Sequence, residues 1–208
     1  RIYEKGQFSI PSDTACYPAK IMHGHIETLI TDGVDAIFYP CLTYNMDEKM
    51  TDNHYNCPVV AYYSELLNGN VEELKKVKFL YPYLNINSKK ELAKELYNYL
   101  GKFYNGITKS EVKAAVEYGI SKYAVREEGA RALKFARENN KRIMILAGRP
   151  YHIDAEIGHG IDKLANTLGF VVVSEDSVFR LAEPFTVKVL NQWTYHARLY
   201  RAARYAAE

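Results

Sequence analysis

The sequence lacks most of what would place it among cross-linked, membrane-bound or nucleotide-cradling proteins. Only 3 of its 208 residues are cysteine, an odd number that does not fit a paired disulfide framework and suits a reducing, cytoplasmic setting. No apolar run approaches the roughly 18 residues a membrane span needs, and the opening residues do not read as a secretion signal. Charge of one sign is also missing. With 27 basic against 25 acidic residues the net charge is +2, too small for a field that would favour nucleic acid or an anionic membrane. There is no Walker A loop, no G-x-G-x-x-G and no H-E-x-x-H, so the chain is not expected to cradle ATP or a dinucleotide by itself. Hydrophobic residues at 48% with 25% charged exclude a disordered, collagenous or coiled-coil chain. The first residue is Arg1 rather than Met, which reads as a segment of a longer protein.

What is present reads as α/β. Phe8–Ile10 reads as a short strand and Ala15–Thr31 as a helix, with Ile21, Met22, Ile26, Leu29 and Ile30 at helical spacing. Asp13 or Thr14 is placed to cap that helix, and Gly33 to end it. Val34–Tyr39 and Val59–Tyr62 then read as buried strands, with a polar loop between them. A helix follows from Asn87 or Ser88 to about Tyr104. Thr108, with Glu111 at the capping-box position, opens a long helical stretch to about Asn140 in which Gly119 and Gly129 predict a bend or break. Ile143–Ala147, a helix around Ala155–Leu168 and Phe170–Ser174 form a second strand–helix–strand unit, and 185–207 reads as a final helix. The expected architecture is two Rossmann-like α/β lobes with parallel sheets, residues 1–105 and 106–208, joined by the long helix.

Cys16, Cys41 and Cys57 are spaced too openly for a zinc ribbon or ferredoxin run. On spacing alone they read as buried or incidental thiols. Placed on the expected elements, Cys16 in a helix's first turn and Cys41 after a strand converge at one sheet edge. Cys57, ahead of the Val59–Tyr62 strand, falls at the far edge of a simple parallel sheet, unless the 15 residues between Cys41 and Cys57 return it. His23 and His25, two apart on a helix, face different ways and read as helix surface. Gly148-Arg149-Pro150-Tyr151-His152 follows a strand; it reads equally as an anion- or substrate-binding turn built on Arg149, or as a tight turn whose Arg149 pairs with Asp154 or Glu156. The aromatics around Trp193 read as packing, and the 18 tyrosines suit an interface.

Five blocks carry a resemblance: CYPAKIMHGHIETLI from Cys16, VDAIFYPCLTYN from Val34, DNHYNCPVV from Asp52, LAGRPYHIDAEIGHGIDKLANTLGFVVVSEDSV from Leu146 and NQWTYHARLYRAA from Asn191. Together they resemble the CoA-substrate-specific enzyme activase proteins related to 2-hydroxyglutaryl-CoA dehydratase and to double-cubane cluster reductases. The resemblance implies a dehydratase-like segment of an anaerobic system. In it an ATP-hydrolysing activase, in the same chain or separate, drives a low-potential electron into a cysteine-held cluster. In the dehydratases the electron passes on to a 2-hydroxyacyl-CoA thioester, giving a ketyl radical that loses its hydroxyl group. By the same resemblance Cys16, Cys41 and Cys57 become ligands of a 4Fe–4S or double-cubane iron–sulfur cluster, and three ligands would leave one iron open. Relatives continue into a glycine-rich stretch with another cysteine, which implies that this segment holds part of a site and is inactive alone. Arg149, Tyr151 and His152 are the candidate substrate-binding residues. The expected function is an electron-acceptor module working with an activase on an acyl-CoA, as a monomer or dimer. The alternative is a non-catalytic docking or scaffold module linking activase domains to a separate dehydratase.

Overall fold

A computed structural model describes residues 2–121 and 125–208. The fold is mixed α/β, built on short parallel strand pairs covered by helices. By internal packing it divides into two units. The first holds the described residues up to Met46 with Tyr55–Val116; the second holds Asp47–His54 and those of Glu117–Glu208.

In the first unit α1 (Ile2–Gly6) lies on α2 (Tyr17–Thr31). The two backbones approach so closely that a Cβ on Gly24 would stand 1.8 Å from the Ile2 carbonyl oxygen. The expected strand at Phe8–Ile10 is instead a 3-10 turn, Gln7–Ser9, because this segment continues α1 and meets no strand to pair with. α2 begins at its N-cap Cys16, later than expected, and ends before Gly33, whose φ of +71° only glycine adopts readily.

Strand β1 (Ala36–Phe38) pairs in parallel with β3 (Lys78–Leu80), and β2 (Cys41–Leu42) with β4 (Tyr83–Leu84). Pro40 and Pro82 interrupt the two sides at matching positions. Since proline has no N–H to give the ladder, each breaks into two short strands, with Tyr39 N–H to Leu80 O at 2.8 Å and Cys41 N–H to Pro82 O at 2.9 Å continuing the pairing across the break.

The second expected strand of this unit, Val59–Tyr62, is overturned. It lies inside α3 (Pro58–Asn70), with Cys57 as N-cap and Pro58 opening the first turn. Four apolar residues do not distinguish a strand from a buried helical turn, whereas proline at N1 is a helix signal. Burial of Ala61, Ser64 and Leu67 at helical spacing confirms the correction. The chain crosses through α3 to β3, whose sequence Lys-Phe-Leu had no strand signature. Ala19 and Ile26 of α2, Ile37 of β1 and Tyr63 and Leu67 of α3 form the core. α4 (Lys89–Leu100) starts on Ser88, whose Oγ accepts from Glu91 N–H at 3.3 Å. α5 (Lys109–Ser121) starts on the expected capping box, with Thr108 N–H to Glu111 Oε2 at 2.8 Å and Glu111 N–H to Thr108 Oγ1 at 3.2 Å.

In the second unit α6 (Val125–Glu138) is helical through Gly129, as α5 is through Gly119. Neither glycine breaks its helix; the junction expected to join them, 122–124, lies outside the described residues. Gly129 is there for contact: a Cβ would stand 2.3 Å from Ser177 Cβ. β5 (Arg142–Leu146) pairs in parallel with β6 (Phe170–Ser174), Leu146 opposite Ser174. Between them α7 (Ile161–Thr167) is shorter than expected, beginning after Gly160 at φ +72°. α8 (Glu175–Val178) leaves β6 directly, and α9 (Thr194–Ala207) closes the chain. The final helix starts nine residues later than its expected start at 185. Before it, Asn191 is held to Asp52 twice, its carbonyl accepting from Asp52 N–H at 2.9 Å and its N–H donating to the side-chain Asp52 Oδ2 at 3.0 Å. Leu133, Val173, Val178 and Ala202 form this unit's core. Among the described residues no helix is long and apolar enough to cross a membrane.

Candidate functional site

The three cysteines come from three segments of the first unit. Cys16 is exposed at the start of α2, Cys57 is half-buried at the start of α3, and Cys41 is fully buried in β2. Two are therefore N-caps. Each of these two thiols sits at the N-terminal, positive end of a helix dipole, beside backbone N–H groups that it does not cap. Cys41 Sγ lies 2.9 Å from Ser64 Oγ on α3.

Cys57 is not at a far edge, for two reasons. It heads a helix rather than a strand, and the loop after Cys41 is zipped shut at its base. Tyr44 and Tyr55 form an antiparallel bridge with ring centroids 4.4 Å apart. Asn56 N–H donates to Thr43 O at 2.9 Å and its side-chain amide to Leu42 O at 3.0 Å. This returns the chain to the end of β2 from which it left.

Tyr39 reports the convergence. Its phenol is pushed up to about 12, first by burial, then by the neighbouring Tyr63, Cys41, Cys57 and Cys16, each of which opposes a further negative charge. All three thiols thus lie within electrostatic reach of one hydroxyl. Burial and Cys16 also raise Tyr63. Tyr63 in turn leads away from the thiols: its hydroxyl lies 2.9 Å from His23 Nε2, and His23 Nδ1 lies 2.9 Å from Ser9 Oγ. His23 is completely buried, not on the helix surface as its spacing from His25 implied. Burial lowers its pKa, so the ring is held neutral. The signal was in the sequence, since His23 lies four after Ala19 and three before Ile26 on the buried stripe of α2.

Among the described residues no three His, Cys, Asp or Glu side chains are grouped closely enough to hold one metal ion. A cluster sets a different requirement. Each thiolate takes its own iron corner, so the sulfurs stand further apart than around a single ion. Three thiols from separate elements around one half-buried phenol fit that donor chemistry.

In the second unit the turn after β5 holds its own side chains. Arg149 N–H donates to His152 Nδ1 at 2.8 Å, and the Tyr151 and His152 rings are 4.5 Å apart. His152 thus braces the turn. Asp154 Oδ1 accepts from the backbone N–H groups of Glu156 and Ile157 at 2.8 and 3.2 Å, so this expected partner of Arg149 serves the loop instead. The Arg149 charge is felt by His196, whose pKa is lowered by burial and then by that guanidinium.

Glu175 carries no motif that would have singled it out. At the end of β6 it is buried, and its carboxyl is pushed up to about 7 by burial and by Asp176, against the opposing effects of its own N–H, Arg198 and the Gly148 N–H. Beside it Arg198 is bound by Glu48 Oε2 and Oε1 at 2.8 and 2.9 Å and by Asp176 at 2.5 Å. Burial would lower the guanidinium's pKa, but these carboxylates raise it.

The model of the CoA enzyme activase uncharacterised domain matches residues 1–178 of the 208. The chain belongs to this family. The match covers every cysteine, the Arg149 turn and Glu175. No curated protein and no solved structure matches the chain.

Proposed function

We propose that this CoA enzyme activase domain is the cluster-bearing electron-acceptor module of an ATP-dependent system of the 2-hydroxyacyl-CoA dehydratase type. The observation that carries the reading is the gathering of Cys16, Cys41 and Cys57, from three elements, around the half-buried Tyr39. Cys16 and Cys57 would offer their sulfurs to iron from two helix N-termini. Cys41 would exchange its contact with Ser64 for iron. When bound, a cluster of this kind supplies one-electron transfer at low potential. The chain's own residues supply the walls: Tyr39, Tyr63 and the neutral His23 fill the surroundings with uncharged polar groups, so burial there needs no compensating ion. The electron donor is an ATP-hydrolysing activase in the same or a separate chain, and the acceptor an acyl-CoA.

The engaged, fully buried state of Cys41 favours a second reading, a non-catalytic module that docks activase domains to a separate dehydratase. Anaerobic reconstitution with iron and sulfide separates the two. The first predicts stoichiometric iron that Cys16→Ala, Cys41→Ala and Cys57→Ala each reduce; the second predicts no iron and unchanged docking in all three variants.

A further inference from the structure

Among its described residues the second unit holds two buried polar atoms with nothing to bond to. Glu175 is 3% exposed and Thr194 is 2% exposed, and among the described residues Glu175 Oε1 and Thr194 Oγ1 have no hydrogen-bond partner. An unsatisfied buried oxygen costs on the order of 1–3 kcal/mol, and finding two in one small region points to a missing ligand. They belong to one neighbourhood. α8 packs on α9, Thr194 lies one turn before Arg198 on α9, and Arg198 binds Asp176, the residue after Glu175.

Topology places this neighbourhood where open parallel sheets take ligands, outside the carboxyl ends of the strands. Leu146 and Ser174 are in register at the ends of β5 and β6. The Gly148–Arg149 turn and Glu175 therefore leave the sheet side by side, and the Gly148 N–H acts on the Glu175 carboxyl. Gly148 has no room for a side chain, since a Cβ would stand 2.4 Å from His152 Nδ1. Arg149, half-buried, has no hydrogen bond or ion pair to its guanidinium among the described residues. The neighbouring cation Arg198 is already consumed by two carboxylates.

A strand–turn–helix–strand unit with an acid at the end of its second strand is the arrangement that receives the hydroxyls of a ribose. Two unpartnered oxygens on the packed helices α8 and α9, each able to accept from a hydroxyl, with a planar guanidinium at the neighbouring strand end, match a phosphorylated diol. We propose that the carboxyl end of the β5–β6 pair binds a ribose-type vicinal diol, its hydroxyls taken by Glu175 Oε1 and Thr194 Oγ1 and its phosphate by Arg149. This site stands apart from the cysteine reading. With no glycine-rich fingerprint in the turn, the ligand is a single ribose phosphate, free or as a nucleoside monophosphate, rather than a dinucleotide.

Titration calorimetry of the whole chain with ribose 5-phosphate, 2-deoxyribose 5-phosphate, adenosine 5′-monophosphate and inorganic phosphate tests it. Saturable binding of ribose 5-phosphate is expected, weakened about tenfold or more in the deoxy sugar. A further gain with adenosine monophosphate assigns the ligand to nucleotides; equal binding assigns it to sugar phosphates. Thr194→Val, which keeps the side-chain shape, and Glu175→Met each weaken binding about tenfold. Arg149→Gln abolishes the advantage of ribose 5-phosphate over free ribose, titrated alongside it. No saturable binding of either ribose ligand overturns the proposal. So does equal affinity for the deoxy sugar or for phosphate alone, or unchanged binding by folded Thr194→Val.

Discussion

At the scale of single residues, burial decides which groups titrate and in which direction. Glu175 moves from 4.5 to about 7 on folding. Between those values the folded chain holds a proton that the unfolded chain has released, so stability must fall as pH rises through that window. His23 works the other way, because its folded pKa is depressed from 6.5 and stability falls as pH drops through that region. The contribution of Glu175 is therefore read as a difference: urea midpoints of the native chain and of Glu175→Gln, measured from pH 4.5 to 8, should diverge because the variant lacks the downward slope. Parallel curves would show that Glu175 is not held protonated. The burial of Glu175 was not legible in the sequence, since Ser-Glu-Asp-Ser offers two carboxylates and periodicity does not say which is buried. His23 was legible. Its place on the buried stripe of α2 outranked the argument from its spacing to His25, and Tyr63 and Ser9 satisfy both ring nitrogens.

At the scale of elements, two glycines that look alike in sequence have opposite uses. Gly129 sits where α6 meets Ser177, whereas a Cβ on Gly119 would meet nothing within 4 Å. Gly129→Ala is expected to lower stability by about 1–3 kcal/mol through overpacking, and Gly119→Ala to raise it by up to about 1 kcal/mol through helix propensity; chemical denaturation of the two variants measures both. The long amphipathic helices and the β5 and β6 strands were readable because each carries its own period or apolar run. α3 was not read correctly: its four-residue apolar start mimics a strand, and the N-C-P sequence that marks its first turn is weak beside that run. β3 and β4 were missed because they are two or three residues long and are defined by their partners, not by their own pattern. The correction to α3 has a functional consequence, since it carries Cys57 to the same end of the strands as Cys41.

At the scale of the whole molecule, the segment Asp47–His54 belongs with the C-terminal half of the chain, and Glu48 is its anchor. Its side chain is 5% exposed against 8% for Arg198, so removing Arg198 leaves buried Glu48 with only the more exposed Arg180 at 3.2 Å, and removing Glu48 leaves Arg198 with Asp176 alone. Arg198→Met is expected to cost about 3–5 kcal/mol, with Glu48→Gln in the same direction. Recovery in the double variant Glu48→Met/Arg198→Met would confirm that the stranded charge, not lost packing, sets the cost. The parallel α/β character and the family were visible in the sequence, the latter because the matching blocks run in order along nearly the whole chain. The return of residue 57 to the cysteine site depends on the Tyr44–Tyr55 bridge, a long-range contact that no local pattern encodes.

The central claim is that Cys16, Cys41 and Cys57 form one redox site. Its most direct measurement is iron counting with EPR of the reduced protein after anaerobic reconstitution. Roughly four irons per chain with a reduced-cluster signal, lost in each of the three cysteine variants, is the result predicted. Iron below stoichiometry, or iron that persists in those variants, would contradict it.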